Sequence, residues 1–164
     1  MMKYSISLKN HLIFHKATLF YYLLGAGVLY YLDFDRPAVF IFGIWWAVDL
    51  IPALYLHLEY LLMNRGLSYE ITTNEFIQGE NDQERTIKVE EIDKVIVYKS
   101  ASMDKGGIPF LAIESYYYAR IILKSGDEFI LTRLLIPKLE EVIKSLKGVK
   151  FLRKKRLFCT VFWR

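Results

Sequence analysis

Two apolar stretches dominate the first 63 positions: "HLIFHKATLFYYLLGAGVLYYL" (11–32) and "PAVFIFGIWWAVDLIPALYLHLEYLLM" (37–63). Only "DFDR" separates them. No charge falls between Ala17 and Leu32, and the second run is longer still. About 20 apolar residues suffice to cross a bilayer core as a helix. A cleaved signal peptide would be shorter and end in small residues. Here a charged turn and a second run follow instead. Backbone polar groups in hydrocarbon must be satisfied within the segment, which leaves helices or closed barrels. The pattern therefore predicts an antiparallel transmembrane helical hairpin with spans of about 12–32 and 38–63. Pro37 suits a helix start, where its missing N–H costs nothing. Aromatic residues gather toward the ends of the runs, as interface belts do, with Trp45 and Trp46 as the exception.

The charge is uneven. The chain has 164 residues and a formal net charge of +4. Lys3, Lys9 and Lys16 precede the first run, and six basic residues fall in 150–164. A mildly acidic body between basic ends points to an anionic surface as partner. By the positive-inside rule the connecting loop faces out and both termini face the cytoplasm. The expected arrangement is thus multi-pass in a cytoplasmic (inner) membrane, which the resemblance given below implies to be bacterial. The single cysteine, Cys159, excludes an internal disulfide or a cysteine metal cluster.

Asp49 and Pro52 interrupt the second run. A carboxylate at the centre of a bilayer costs roughly 2.5–3.5 kcal/mol on insertion scales. Pro52 frees the carbonyl of Val48 and makes that turn unusually polar. Asp49 has three possible counterparts: the first helix, a second copy of the chain, or water in a pore. Gly25 and Gly27 would permit close helix approach, and Tyr21, Tyr22 or Tyr30 could supply a hydroxyl.

After "NRG" the pattern changes to alternation. "LSYEIT", "EFIQGE", "RTIKVEEI", "DKVIVYKSA", "SYYYARIILK" and "DEFILT" read as strands, with "SGD" as a hairpin turn. "SASMDKGGIPF" reads as a loop. Pro137 opens an amphipathic helix with Leu139, Val142, Ile143 and Leu146 on one face, ended by Gly148. The count is six or seven strands and one helix. "YYYARIILKSGDEFILTRLLIPKLEEVI" resembles the end of bacterial pleckstrin-homology-like (PH-like) domains, which often follow a pair of transmembrane helices. The resemblance implies an α+β membrane protein. In it, a hairpin (1–64) precedes a PH-like antiparallel β-barrel or sandwich capped by one C-terminal helix (65–148), and a basic-aromatic tail (149–164) follows.

Catalytic signatures are missing from the sequence: there is no HExxH, no CxxC and no phosphate-binding glycine loop. His11 and His15 share a helix face but lack a third ligand, so they read as polar flanks of a span. No enzyme activity, cofactor or metal is expected. PH domains that bind inositol phosphates use basic residues in the first hairpin. Here Glu75, Glu80, Asp82 and Glu84 outnumber Arg85 and Lys88, which repels phosphate at that site. In the tail, Lys150, Arg153, Lys154, Lys155 and Arg156 interleave with aromatics and read as a membrane-surface contact. Tyr116, Tyr118 and Arg120 share one strand face and form a candidate partner surface. The expected function is a membrane-anchored binding or scaffold module engaging anionic lipid or an unidentified protein. A homo-oligomer is compatible with this, and nucleic acid is not expected. The alternative is a small oligomeric channel or transporter subunit with Asp49 lining the pathway.

Overall fold

The computed structural model describes residues 2–72, 74–80, 83–106, 109 and 111–162. Among the described residues eight strands form two four-stranded sheets, which do not close into a barrel. The first has the order β1 (Met2–Ser5), β2 (Leu67–Ile71), β3 (Glu75–Glu80), β4 (Gln83–Lys88). The second has the order β7 (Glu128–Thr132), β6 (Tyr118–Leu123), β5 (Ile92–Lys99), β8 (Lys150–Lys155). All pairs are antiparallel except β5 with β8. The fold is α+β, a sandwich rather than a barrel. Its core lies between the sheets, where Tyr69, Phe76 and Ile87 of the first meet Val95, Val97, Ala119, Ile121 and Leu131 of the second. Leu139, Ile143 and Leu146, from the short helix α4 (Leu139–Lys144) and the turn after it, are buried in the same core. That helix begins two residues after Pro137, later than the sequence pattern implies.

Two strands depart from the expected organisation. Residues 2–5 pair with β2, Tyr4 opposite Tyr69, so the helical hairpin is an insertion between two neighbouring strands. Four residues are too few to carry a readable alternation. At the other end, 150–155 is the parallel edge strand β8 rather than a loose tail.

The hairpin consists of α1 (Leu8–Tyr31) and α2 (Arg36–Asn64). Ser7 caps α1, its side chain accepting from the Asn10 N–H. The turn between the helices uses positive φ at Asp33 and Phe34, and the Phe34 N–H closes onto the Leu29 carbonyl at 2.9 Å. Gly25 allows close helix approach, because a Cβ there would meet the Phe42 ring at 3.3 Å. Gly27 faces open space.

The buried stripe of α2 is Asp49, Ala53, Leu56, Tyr60 and Asn64, with Glu59 beside it, and it packs on the outer face of the second sheet. Nothing in α2 before Asp49 is buried. The first half of α2 and the facing part of α1 therefore project from the domain, while the second half belongs to it. Asp49 marks the boundary.

The expected multi-pass membrane arrangement with both termini on one side is overturned here. Among the described residues only α2 is long and apolar enough to cross a membrane. In α1 the apolar stretch among the described residues is Leu19–Tyr31.

Candidate functional site

Three features meet where the hairpin joins the sandwich. The first is Asp49, which is 5% exposed. Its Oδ1 accepts the Ala112 N–H at 2.7 Å, and its Oδ2 accepts the Tyr22 hydroxyl at 3.0 Å. Ala112 opens a 3₁₀ turn (Ala112–Ser115), so Asp49 satisfies an N–H at the start of that turn. The carboxylate thus ties α1, α2 and the domain together. Both its oxygens are occupied, which weighs against a role lining a pathway. Pro52 sits one turn later within a helix that continues unbroken to Asn64.

The second is a relay of rings. His11 Nδ1 lies 2.9 Å from His57 Nε2, and His57 Nδ1 lies 3.1 Å from the Tyr116 hydroxyl. One nitrogen of the His–His contact must lack a proton to accept the bond. The His15 side chain lies outside the described residues. Among the described residues no group of three His, Cys, Asp or Glu side chains is placed to hold a metal.

The third is the chain end. Residues after β8 cross back over α2. Glu59 is 3% exposed, and its Oε1 accepts the Thr160 hydroxyl at 2.7 Å and the N–H groups of Val161 and Phe162 at 2.8 and 2.6 Å. The Tyr60 hydroxyl donates to the Cys159 carbonyl at 2.8 Å. Cys159 is thereby buried, and burial pushes its thiol up to about 12. Trp163 and Arg164 lie outside the described residues.

The basic run of the tail does not form one patch. Strand alternation sends Lys150, Lys154 and Arg156 to the α2 side of the second sheet. The Lys154 and Arg156 cations there lie 5.8 and 4.7 Å from the centre of the Tyr98 ring. Arg153 and Lys155 point the other way, into ion pairs beside α4. Lysines along an unpaired edge strand also discourage pairing with another chain.

Tyr116 and Tyr118 do not offer the partner surface that their alternation implied. They are 1% and 3% exposed, because α2 lies over that face. Burial raises both hydroxyls, that of Tyr118 to about 12. Arg120 pairs with Glu128 on the neighbouring strand. Of the first-hairpin residues that bear on phosphate, Asp82 lies outside the described residues, and Arg85 pairs with Asp127 at 3.0 Å.

Sequence reasoning missed Glu59, although its signal resembled that of Asp49: an acid inside an apolar run. It also missed the junction between His57 and Tyr116, which are 59 residues apart.

The fold is thus a two-sheet sandwich with a short helix packed into its core, and no metal-binding cluster lies among the described residues. A PH domain model matches residues 3–144, and the chain belongs to that family. PH domains are non-catalytic binding and scaffold modules that engage lipids or proteins. The match includes the inserted hairpin and runs through β7 and α4, and β8 lies beyond it. Neither a search of curated proteins nor one of solved structures found a match.

Proposed function

We propose that the protein is a membrane-anchored PH module whose apolar prong, built from 19–31 and 36–48, enters lipid and holds the domain at the surface. The observation that carries this reading is the exposed apolar face. Phe20, Leu23 and Leu24 of α1 and Phe40, Ile41, Ile44 and Val48 of α2 are each at least half exposed. Only 17% of the most apolar window of α2 is buried, whereas the core helix of a soluble domain would be mostly buried. A contiguous face of this kind on a soluble monomer marks an interaction site.

Lys150 and Lys154 lie on the side of the sheet that α2 covers and add attraction to anionic lipid, about 1 kcal/mol each. At that surface the domain binds a protein partner or the lipid itself. Carbonate extraction of membranes tests the anchor. The wild type should stay in the pellet, and a Phe40→Lys, Ile44→Lys variant should be released. Wild type in the carbonate supernatant would remove the reading. In flotation assays, Lys150→Gln with Lys154→Gln should weaken binding to anionic vesicles about 30-fold and leave neutral vesicles unaffected.

A further inference from the structure

The ring relay joins three parts of the chain: α1 through His11, α2 through His57, and the residue after the 3₁₀ turn through Tyr116. His11 and His57 are half-buried, and Tyr116 is buried. Burial holds the Tyr116 hydroxyl in its protonated form, so it gives or accepts a bond and brings no charge. The histidine pair is bonded when both rings are neutral, because one nitrogen donates and the other accepts. It is bonded also when one ring carries an added proton, because the charged ring donates to the neutral one. With both rings charged, every ring nitrogen is a donor. His11 Nδ1 and His57 Nε2, 2.9 Å apart, then set N–H against N–H and cation against cation. The contact cannot survive that state.

The pair stands next to the corner where β1 turns into α1. β1 ends at Ser5 and α1 begins at Leu8. The Asn10 amide donates to the Ser5 carbonyl at 3.2 Å and to the Leu134 carbonyl at 3.0 Å. Asn10 and His11 therefore fasten the corner side by side. β1 is a four-residue edge strand paired with β2 alone, so it can leave without breaking any other strand pair. The charged and titratable side chains on the elements packed here have other commitments. On α2, Asp49 accepts from Ala112 and Tyr22, and Glu59 accepts from the chain end. Tyr60, edge-on to Tyr116, donates to the Cys159 carbonyl. Glu114 in the 3₁₀ turn accepts the Leu111 N–H at 3.3 Å. Helix α3 (Ala101–Asp104) backs that turn, its capping Ser100 hydroxyl reaching the Glu114 carbonyl at 3.5 Å, and its Asp104 pairs with Lys99. Lys16, exposed on α1, adds positive charge.

We propose that His11, His57 and Tyr116 form a proton-operated latch, closed while the histidine pair holds at most one added proton and open once both rings are charged. Opening releases the start of α1 from α2, and with it β1 from the edge of the first sheet. Histidine is the side chain that ordinarily changes charge between about pH 5 and 8, so the latch answers to mild acid. The Glu140 carboxyl, held down at about 2, stays ionised in that range, so the ion pairs beside α4 take no part. The latch does not depend on what the prong enters.

Backbone hydrogen exchange of the full chain in detergent micelles tests it, at about pH 7.5 and about pH 5 with intrinsic rates corrected. In wild type, exchange across Met2–Ser5 should rise about tenfold at the lower pH, from a lost hydrogen bond and the repulsion that replaces it, while β3 keeps its protection. The rise should track the second proton taken up by the pair, read from the imidazole nitrogen resonances. His11→Gln places a neutral amide in the contact, and a charged His57 still donates to it. Exchange in this variant should change by no more than about twofold between the two conditions. A response that came from any other group would persist in it. His57→Gln should behave alike and serves if the first variant fails to fold. Equal protection of Met2–Ser5 in wild type under both conditions would overturn the latch. So would a rise shared equally by β3, or the full response retained in either variant.

Discussion

Replacing Glu59 by alanine should free the end of the chain, and Cys159, the single cysteine, reports it. Glu59 Oε1 accepts three hydrogen bonds from residues 160–162, two of them from the backbone. In the docked state the thiol is buried, with its pKa near 12, so about 1 in 10,000 molecules carries a thiolate at pH 8. An ordinary cysteine near 8.5 would be about one-quarter thiolate at that pH. Alkylation of the wild type must therefore proceed mainly through an undocked state. Hydrogen bonds to a charged acceptor contribute about 1.5–3 kcal/mol each, so losing three that share one oxygen costs about 3–5 kcal/mol. The freed N–H groups regain water when the tail leaves, which favours the lower end. A cost of about 3 kcal/mol raises the undocked population, and with it the maleimide rate, on the order of 100-fold. Glu59→Gln keeps an acceptor oxygen and loses the charge, so its rise should be nearer tenfold. Tyr60→Phe deletes the tie to the Cys159 carbonyl and should give about fivefold from a loss of about 1 kcal/mol. The wild-type rate should level off above about pH 9, as the undocked thiol finishes ionising. A Glu59→Ala rate within about twofold of wild type would refute the docking argument. So would a wild-type rate that keeps climbing toward pH 12, because the docked thiol would then be reacting directly.

Asp49→Ala removes the acceptor for the Ala112 N–H and should cost about 2–4 kcal/mol in chemical unfolding in detergent micelles. Asp49→Asn retains an acceptor for that N–H and should cost about 1 kcal/mol; a wild-type midpoint for the alanine variant would dismiss the junction role. Glu140 has a folded value near 2 against an ordinary 4.5, so its ion pairs contribute fully above about pH 4.5. That contribution disappears as pH falls toward 2. Wild type should therefore lose more thermal stability across this window than Glu140→Gln, and parallel curves would contradict the assignment.

Much of the sandwich was legible because strands of five or more residues carry an alternation that survives without context. β2, β3, β5 and β7 overlap the stretches "LSYEIT", "EFIQGE", "DKVIVYKSA" and "DEFILT", with ends that differ by a residue or two. The Ser125–Asp127 turn likewise needs its glycine, since Gly126 has φ of 93°. β1 was illegible because four residues pair with a strand more than sixty positions away. Asp49 was visible as an anomaly, and Tyr22 was among the hydroxyls considered for it, but Ala112 could not be found without the fold. The Tyr116–Tyr118 face misled for a related reason. Alternation shows which residues share a face, and it does not show what lies over that face. The ion-pair cluster around Glu140 carried no local signal at all. Lys99 and Glu140 are 41 residues apart, and Arg153 looked like one more member of a basic tail until alternation along β8 turned it away from Lys154.

The same geometry bears on how an anchor would act. Between the end of α2 at Asn64 and the start of β2 at Leu67 stand only Arg65 and Gly66, and Gly66 takes the turn with φ of 76°. Two residues leave no slack for a flexible tether. Along its second half α2 is fixed to the second sheet by Leu56 and Tyr60, and Asn64 donates to the Thr132 hydroxyl at 2.7 Å. Asp49 and His57 hold α1 and the 3₁₀ turn to the same helix. A force or tilt applied to the projecting prong is therefore delivered to the second sheet rather than absorbed in a linker. The two faces of that sheet then keep fixed and opposite relations to the prong. Lys150 and Lys154 stay on the α2 side, and Arg153 and Lys155, with their ion pairs to Asp104, stay on the other. The orientation of the domain follows from the helix, and what reaches each face is decided by which side of the sheet it approaches.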